Sequence, residues 1–301
     1  MRHGIPDAQD IKILQILSNE GRKSFRSIGL QINLAPKSIK TRIESLVSSG
    51  VIEKFIIIVS PSALGYEKEY LIIVGKRGEK QNVYNNLNLL GDVILEVQSL
   101  GGTSVFRLIV REESENKIQF LADALKPALV ETTLASGTYK TKKKLSNTDL
   151  SVLKCLIQDP RMEVAEISKK LSISSKTVAR RLGAMQNNQA IKFSILINPA
   201  ALRGYILFAI SMKIEVSMYQ KILRRIYQDF PENFLLHPPA APQDTISVVF
   251  LSKDVFTSDK ILETIESYSG VRESQVFLPT KIKLYQEWLM SGIEKKLKHT
   301  N

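Results

Sequence analysis

The sequence contains one cysteine, Cys155, and three histidines, His3, His237 and His299. A lone cysteine rules out an internal disulfide or a thiolate metal cluster and suits a reducing, cytosolic setting. Cys155 falls inside an apolar helical pattern, which points to a buried structural thiol. Two of the histidines lie near the chain ends, and His237 precedes two prolines, the setting of a surface-loop residue rather than a ligand. There is no histidine–carboxylate cluster, no glycine-rich phosphate loop and no nucleophile triad. No metal, cofactor or enzymatic activity is therefore expected. No apolar run approaches the ~18 residues of a membrane helix, and the opening "MRHGIPDAQD" has no apolar core of a signal peptide. Acids are outnumbered too. Thirty Asp+Glu stand against 42 Lys+Arg, a formal net charge of +12 that favours a polyanionic partner, nucleic acid or an anionic membrane surface.

What is present is an ordinary globular composition, 44% hydrophobic and 24% charged, in 301 residues that allow two to four compact domains. Residues 1–139 carry 17 Lys+Arg against 15 Asp+Glu, so nearly all the excess charge lies beyond them. Shifting the chain by 139 positions lays Asp10–Ile58 on Asp149–Ile197 without a gap. Identities include Leu14/Leu153, Arg22/Arg161, Lys37/Lys176 and Arg42/Arg181, and apolar positions match apolar positions almost throughout. The chain is an internal duplication.

Each copy opens with three short helical patterns. Ile11, Leu14 and Leu17 form the first stripe, answered by Leu150, Leu153 and Leu156. The third helix begins at "APKSI" in one copy and "SSKTV" in the other, with Pro36 suited to the first helical position and Ser174 to the N-cap. Its apolar side is Ile39, Ile43, Leu46 or Val178, Leu182, Met185. Gly50 stops the first of these helices, whereas Gln189 stands at the matching place in the second, a weaker stop. A strand follows, which makes each unit a winged helix-turn-helix. The 75–90 residues after each unit read β-α-β-β-α-β, and "KLYQEWLMSGIEKKLK" reads as a final amphipathic helix with Leu284, Trp288, Leu289 and Ile293 available to pack. The expected class is α+β: two winged helix-turn-helix units (1–60 and 140–198) alternating with two ferredoxin-like layers (61–139 and 199–301). The lysine-rich segment 140–144 is the expected hinge, and the terminal helix is grouped with the second layer.

This order, with Asp10, "GRKS" at 21–24, Arg42, "GVI" at 50–52 and "LGY" at 64–66, resembles the Lrp/AsnC (feast/famine) transcription regulators. The second copy is similar through Asp149, Arg161, Arg181 and "RGY" at 203–205. The resemblance implies a cytoplasmic, nucleoid-associated prokaryotic regulator that binds double-stranded DNA and pairs through its sensor (RAM) sheets. Here it implies an intramolecular pseudo-dimer, with further homodimer or higher assembly open. It also implies a small effector such as an amino acid.

On the reading helices, the positions placed to meet DNA are Pro36, Lys37, Ser38, Lys40 and Thr41 in one copy. In the other they are Ser175, Lys176, Thr177, Ala179 and Arg180. Arg42 and Arg181 join this set, although each lies at the edge of the apolar stripe, where phosphate contact and an ion pair within the domain are equally open. The units 10–56 and 149–195 each carry eight Lys+Arg against four Asp+Glu, so the positive charge of the first half is concentrated in its head. For the effector, the resemblance points to the turn between the middle strands, where the first copy has Gly101, Gly102 and Thr103. A tight turn needing glycine's positive φ is the alternative. The second copy has "HPPAAPQDT" there, without glycine. Siroheme decarboxylases share this two-domain architecture and stand as the enzyme alternative. They depend on basic residues that include histidine in the sensor domain, and the first copy's sheet region has none. A protein-binding assembly factor is the third reading.

Overall fold

Positions 139 residues apart carry the same local chemistry. The computed structural model describes residues 5–75, 80–111, 129–134, 144–236 and 244–298. Helix α1 (Ala8–Asn19) begins at Asp7, whose carboxylate accepts the Gln9 and Asp10 N–H groups, while the Asp10 carboxylate accepts the Asp7 N–H at 3.1 Å. Far along the chain, helix α5 (Asn147–Gln158) opens on the same reciprocal box between Ser146 and Asp149. Such boxes satisfy donors that a helix start otherwise leaves open. Helices α2 (Phe25–Ile32) and α6 (Val164–Leu171) end at Asn33 and Ser172, at φ 58° and 54°. Helices α3 (Pro36–Ser48) and α7 (Ser175–Asn187) are followed by Gly50 at φ 77° and Gln189 at φ 57°. The weak stop foreseen at Gln189 is thus a left-handed turn held without glycine, a conformation that costs an L-residue roughly 1 kcal/mol.

Strand β1 (Ile52–Val59) leads to β2 (Lys68–Val74), α4 (Lys80–Asn88), β3 (Asp92–Ser99), β4 (Ser104–Val110) and β5 (Leu129–Leu134). The second copy runs β6 (Ile191–Ile197), β7 (Ile206–Ile214), α8 (Tyr219–Asp229), β8 (Phe234–Leu236), β9 (Thr245–Ser252), α9 (Val255–Glu266) and β10 (Val271–Phe277). In space the strands lie in the orders β3-β4-β2-β5 and β10-β7-β9-β8, the same antiparallel ferredoxin-like arrangement twice. Strand alternation sets the inner face. Phe208, Ile210, Met212 and Ile214 of β7 point one way, with Ile246, Val248 and Phe250 of β9 opposite, and Tyr219, Ile222 and Ile226 of α8 cover them. The helix expected over "NKIQFLADAL" (116–125) and the hinge residues 140–143 lie outside the described residues.

The chain divides into two compact units that do not follow its two halves. One contains residues 1–54 and 194–282; the other contains 55–193 and 283–301. Each unit therefore joins the helix-turn-helix of one repeat to the sheet layer of the other. In the first unit, Gln15 of α1 donates to the carbonyls of Phe234 (2.7 Å) and Pro231, and Asn19 donates to that of Leu235 (2.9 Å). Ser194 adds a buried hydroxyl bond to the Ser18 carbonyl at 2.7 Å.

In the second unit the final helix has its place. After β11 (Pro279–Leu284), Tyr285 N–H donates to Ile94 O at 3.1 Å along the β3 edge, and Lys283 and Tyr285 both bond the Glu96 carboxylate. Helix α10 (Glu287–Lys298) then packs on α5, not on the second sheet layer with which its sequence position grouped it. The reason is its apolar stripe. Trp288, Leu289 and Ile293 complete a core with Leu150, Leu153, Leu64 and Tyr66, and the Trp288 ring meets that of Tyr66 edge-on at 5.6 Å.

Candidate nucleic-acid interface

Each head is built on a tight turn between its second and third helices. In the first, Leu34 N–H donates to Gly29 O at 2.9 Å, and a side chain at position 29 would collide with the Leu34 carbonyl. Ser168 takes that position in the second head. Its hydroxyl donates to the Ile173 carbonyl at 2.6 Å, and Ile173 N–H returns to Ser168 O at 3.2 Å. The same turn is held by close packing in one copy and by a side-chain bond in the other.

The buried stripe then sets which way each third helix faces. Ile39, Ile43 and Leu46 are buried on α3, as are Val178, Leu182 and Met185 on α7. Opposite them, Pro36, Lys37, Lys40 and Thr41 are exposed, with Ser38 half-buried. On α7, Ser175, Lys176, Ala179 and Arg180 are exposed and Thr177 is half-buried. The residues read as groove-facing thus share one surface on each helix. The first turns differ in capping: Ser174 Oγ accepts the Thr177 N–H at 3.1 Å, while Ala35 supplies no side-chain cap ahead of Pro36. Thr41 donates to the Lys37 carbonyl at 3.1 Å, and Lys40 Nζ lies 3.8 Å from Glu44. Arg26 on α2 and Lys169 and Lys170 on α6 are exposed cations that attention to the third helices alone leaves out. Helical periodicity in "FRSIGLQI" and "VAEISKKL" places Arg26 and Lys169 away from the buried Ile28 and Ile167, and Lys170 is exposed at the edge of the buried face.

Of the two roles open to Arg42 and Arg181, the structure shows the ion pair. Arg42 Nη1 lies 2.9 Å from Asp7 and 2.8 Å from Asp10, both at the start of α1. Burial pushes the Asp7 carboxyl up, but the Asp10 N–H and the Arg42 guanidinium outweigh it and hold the group below the usual carboxylate range. In the second head Arg181 reaches Asp149 at 3.7 Å, and Arg181 Nε and Asp149 Oδ1 are buried without a hydrogen-bond partner. Both arginines tie the reading helix to the capping box of the first helix, firmly in the first head and loosely in the second.

At the β3–β4 turn, Gly101 and Gly102 sit at φ 83° and 96°, and Ser99 N–H donates to Thr103 O at 2.8 Å. The turn requires both glycines. On either side of it the hydroxyls of Ser99 and Ser104 are buried with no hydrogen-bond partner. Cys155 is buried. The three histidines and most of "HPPAAPQDT" lie outside the described residues. Among the described residues no group of His, Cys, Asp and Glu could hold a metal, and no helix is long and apolar enough to cross a membrane.

The winged helix-turn-helix DNA-binding family matches the chain twice, at residues 6–53 and 145–192. The transcriptional regulator FL11 of Pyrococcus horikoshii is 34% identical over 116 residues, 38% of this chain and 77% of that protein. The chain belongs to the Lrp/AsnC family of DNA-binding transcription regulators. The regulator Ptr1 of Methanocaldococcus jannaschii is 28% identical over 146 residues, covering 46% of this chain and 97% of its own. Nearly the whole of Ptr1 thus matches less than half of this chain. The crystal structure of the siroheme decarboxylase NirDL superposes over 97% of this chain and all of its own with a TM-score of 0.51 at 15% identity. At that identity the likeness is one of fold: the tandem architecture itself recurs in a solved structure.

Proposed function

We propose that this Lrp/AsnC protein regulates transcription by binding an asymmetric duplex site with two non-identical heads, α3 and α7 each entering a major groove. The observation that carries the reading is the matched pair of exposed cationic surfaces, Lys37 and Lys40 with Thr41, and Lys176 with Arg180, each opposite a buried stripe at repeat-equivalent positions. Pro36, Ser38, Ser175 and Thr177 line the first turns, where side chains reach base edges, and the cations neutralise phosphates at the rims. Arg42 and Arg181 orient the helices rather than lead the contact. Most exposed positions differ between the heads, so their half-sites differ. Selection of bound duplexes from a random pool tests this: two unlike half-sites are expected, and no enrichment at low salt would sink it.

The chain assembles further into homodimers or higher. The protein acts in the cytoplasm on the nucleoid and catalyses no reaction. A small effector such as an amino acid binds at Gly101, Gly102 and Thr103, where the unpartnered Ser99 and Ser104 hydroxyls offer donors and acceptors. The siroheme-decarboxylase reading rests on fold alone; incubation with an iron tetrapyrrole followed by an absorption scan should show no bound chromophore.

A further inference from the structure

The two reading helices differ at one place that neither capping nor packing explains. Opposite the buried stripe, α3 presents Lys37, Thr41, Glu44 and Ser48, and α7 presents Lys176, Arg180, Gly183 and Asn187 at the equivalent positions. The spacing i, i+4, i+7, i+11 puts each set on one helical face. Glu44 is exposed and pairs with Lys40 at 3.8 Å, with Lys on the N-terminal side, the weaker order for such a pair. Nothing in the fold asks for an acid there. Gly183 is the reverse case. It stands inside a 13-residue helix, where glycine is among the poorest formers, and a Cβ added to it would meet no atom within 4 Å. Its backbone is helical, so no left-handed turn requires it. What glycine provides at an open helix surface is close approach by another backbone.

We infer that α7 is the anchoring head, with Gly183 seated against a sugar–phosphate backbone that Lys176 and Arg180 flank. The other helix, α3, is the discriminating head, whose Glu44 repels close phosphates and accepts from an exposed base amine such as that of cytosine. The inference rests on the reading that both helices face DNA. The neighbouring helices fit it: α6 brings the exposed Lys169 and Lys170 to the second head, where α2 has Leu30 and Gln31.

Fluorescence anisotropy of the full chain with a labelled mixed-sequence duplex, at low salt, tests the anchoring half. Gly183→Glu should weaken binding by about tenfold or more, since a like charge is set against phosphate. Gly183→Ala should weaken it several-fold while raising thermal stability, because alanine is the better helix former. That opposition separates contact from folding. For the discriminating half, Glu44→Gln should tighten binding to mixed-sequence duplex and relax base preference in one selected half-site. If Lys176→Ala and Arg180→Ala weaken binding while both Gly183 variants leave it unchanged, the anchoring assignment is overturned. Unchanged base preference in Glu44→Gln overturns the discriminating one. If Lys37→Ala, Lys176→Ala and Arg180→Ala all leave affinity unchanged, the DNA-facing reading itself falls.

Discussion

Replacing Arg42 by alanine should loosen the first head more than replacing Arg181 loosens the second. Arg42 holds two carboxylates at 2.8 and 2.9 Å, with 29% of its side chain exposed and Asp10 only 16% exposed. Fully exposed pairs contribute about 0–1 kcal/mol and breaking a buried one costs about 3–5 kcal/mol. The Arg42 brace is intermediate, and its carboxylates keep their N-cap hydrogen bonds when the guanidinium goes, so about 1–1.5 kcal/mol is expected. Arg181 lies 3.7 Å from an Asp149 oxygen already bonded by Ser146 N–H and hydroxyl. About 0.5 kcal/mol is expected there. The pH dependence follows from Asp7, whose carboxyl the folded state holds below its ordinary value. That contribution is complete above the ordinary carboxylate range and disappears as pH falls through the lowered value. Amide hydrogen exchange reads the two heads separately, which a single melting curve of a two-unit protein does not. Exchange in α1 and α3 of Arg42→Ala should be faster at neutral pH, and the gap from wild type should close as pH falls below the ordinary carboxylate range. Equal effects of the two substitutions, or a gap that persists in acid, would refute the brace.

Other substitutions test the turns and the C-terminal helix. Gln189→Gly should stabilise the second head by about 1 kcal/mol, because it relieves a left-handed non-glycine residue, and Gly50→Ala should cost the first head a similar amount; thermal melting of each variant checks the signs. Gly29→Ala drives a methyl into the Leu34 carbonyl and should destabilise the first head by about 1–3 kcal/mol, read by exchange in α2 and α3. Trp288→Ala removes a large buried ring and should cost the second unit about 3–5 kcal/mol, measured by denaturant unfolding. Glu96→Gln weakens the anchorage of Lys283 and Tyr285, and limited proteolysis should then cut more readily among Lys295, Lys296 and Lys298.

Local features were legible because they depend on neighbours in sequence. The stripe Ile39, Ile43, Leu46 oriented α3, and the 139-residue shift aligned Asn33 with Ser172 and Gly50 with Gln189, pairs that share left-handed backbone. The βαββαβ order came from period and turn signals, and the class from the element order. What escaped the sequence depends on distant partners. Arg42 one position before an inward residue pointed equally toward phosphate and toward an unspecified ion pair within the domain; the placement of α1 supplies Asp7 and Asp10. The crossed composition of the two units leaves no local signature, since Gln15 and Asn19 meet carbonyls more than 200 positions away. Trp288, Leu289 and Ile293 announced an amphipathic helix without saying which core they complete.

The salt dependence of binding to a selected duplex tests the two-headed account most directly, measured for wild type, Lys37→Ala/Lys40→Ala and Lys176→Ala/Arg180→Ala. Removing a single phosphate-neutralising cation should reduce the slope of log K against log salt by about one. The account predicts a shallower slope in both double variants, each failing to protect a different half-site. Slopes and protection unchanged in either variant would mean that the corresponding head does not touch DNA.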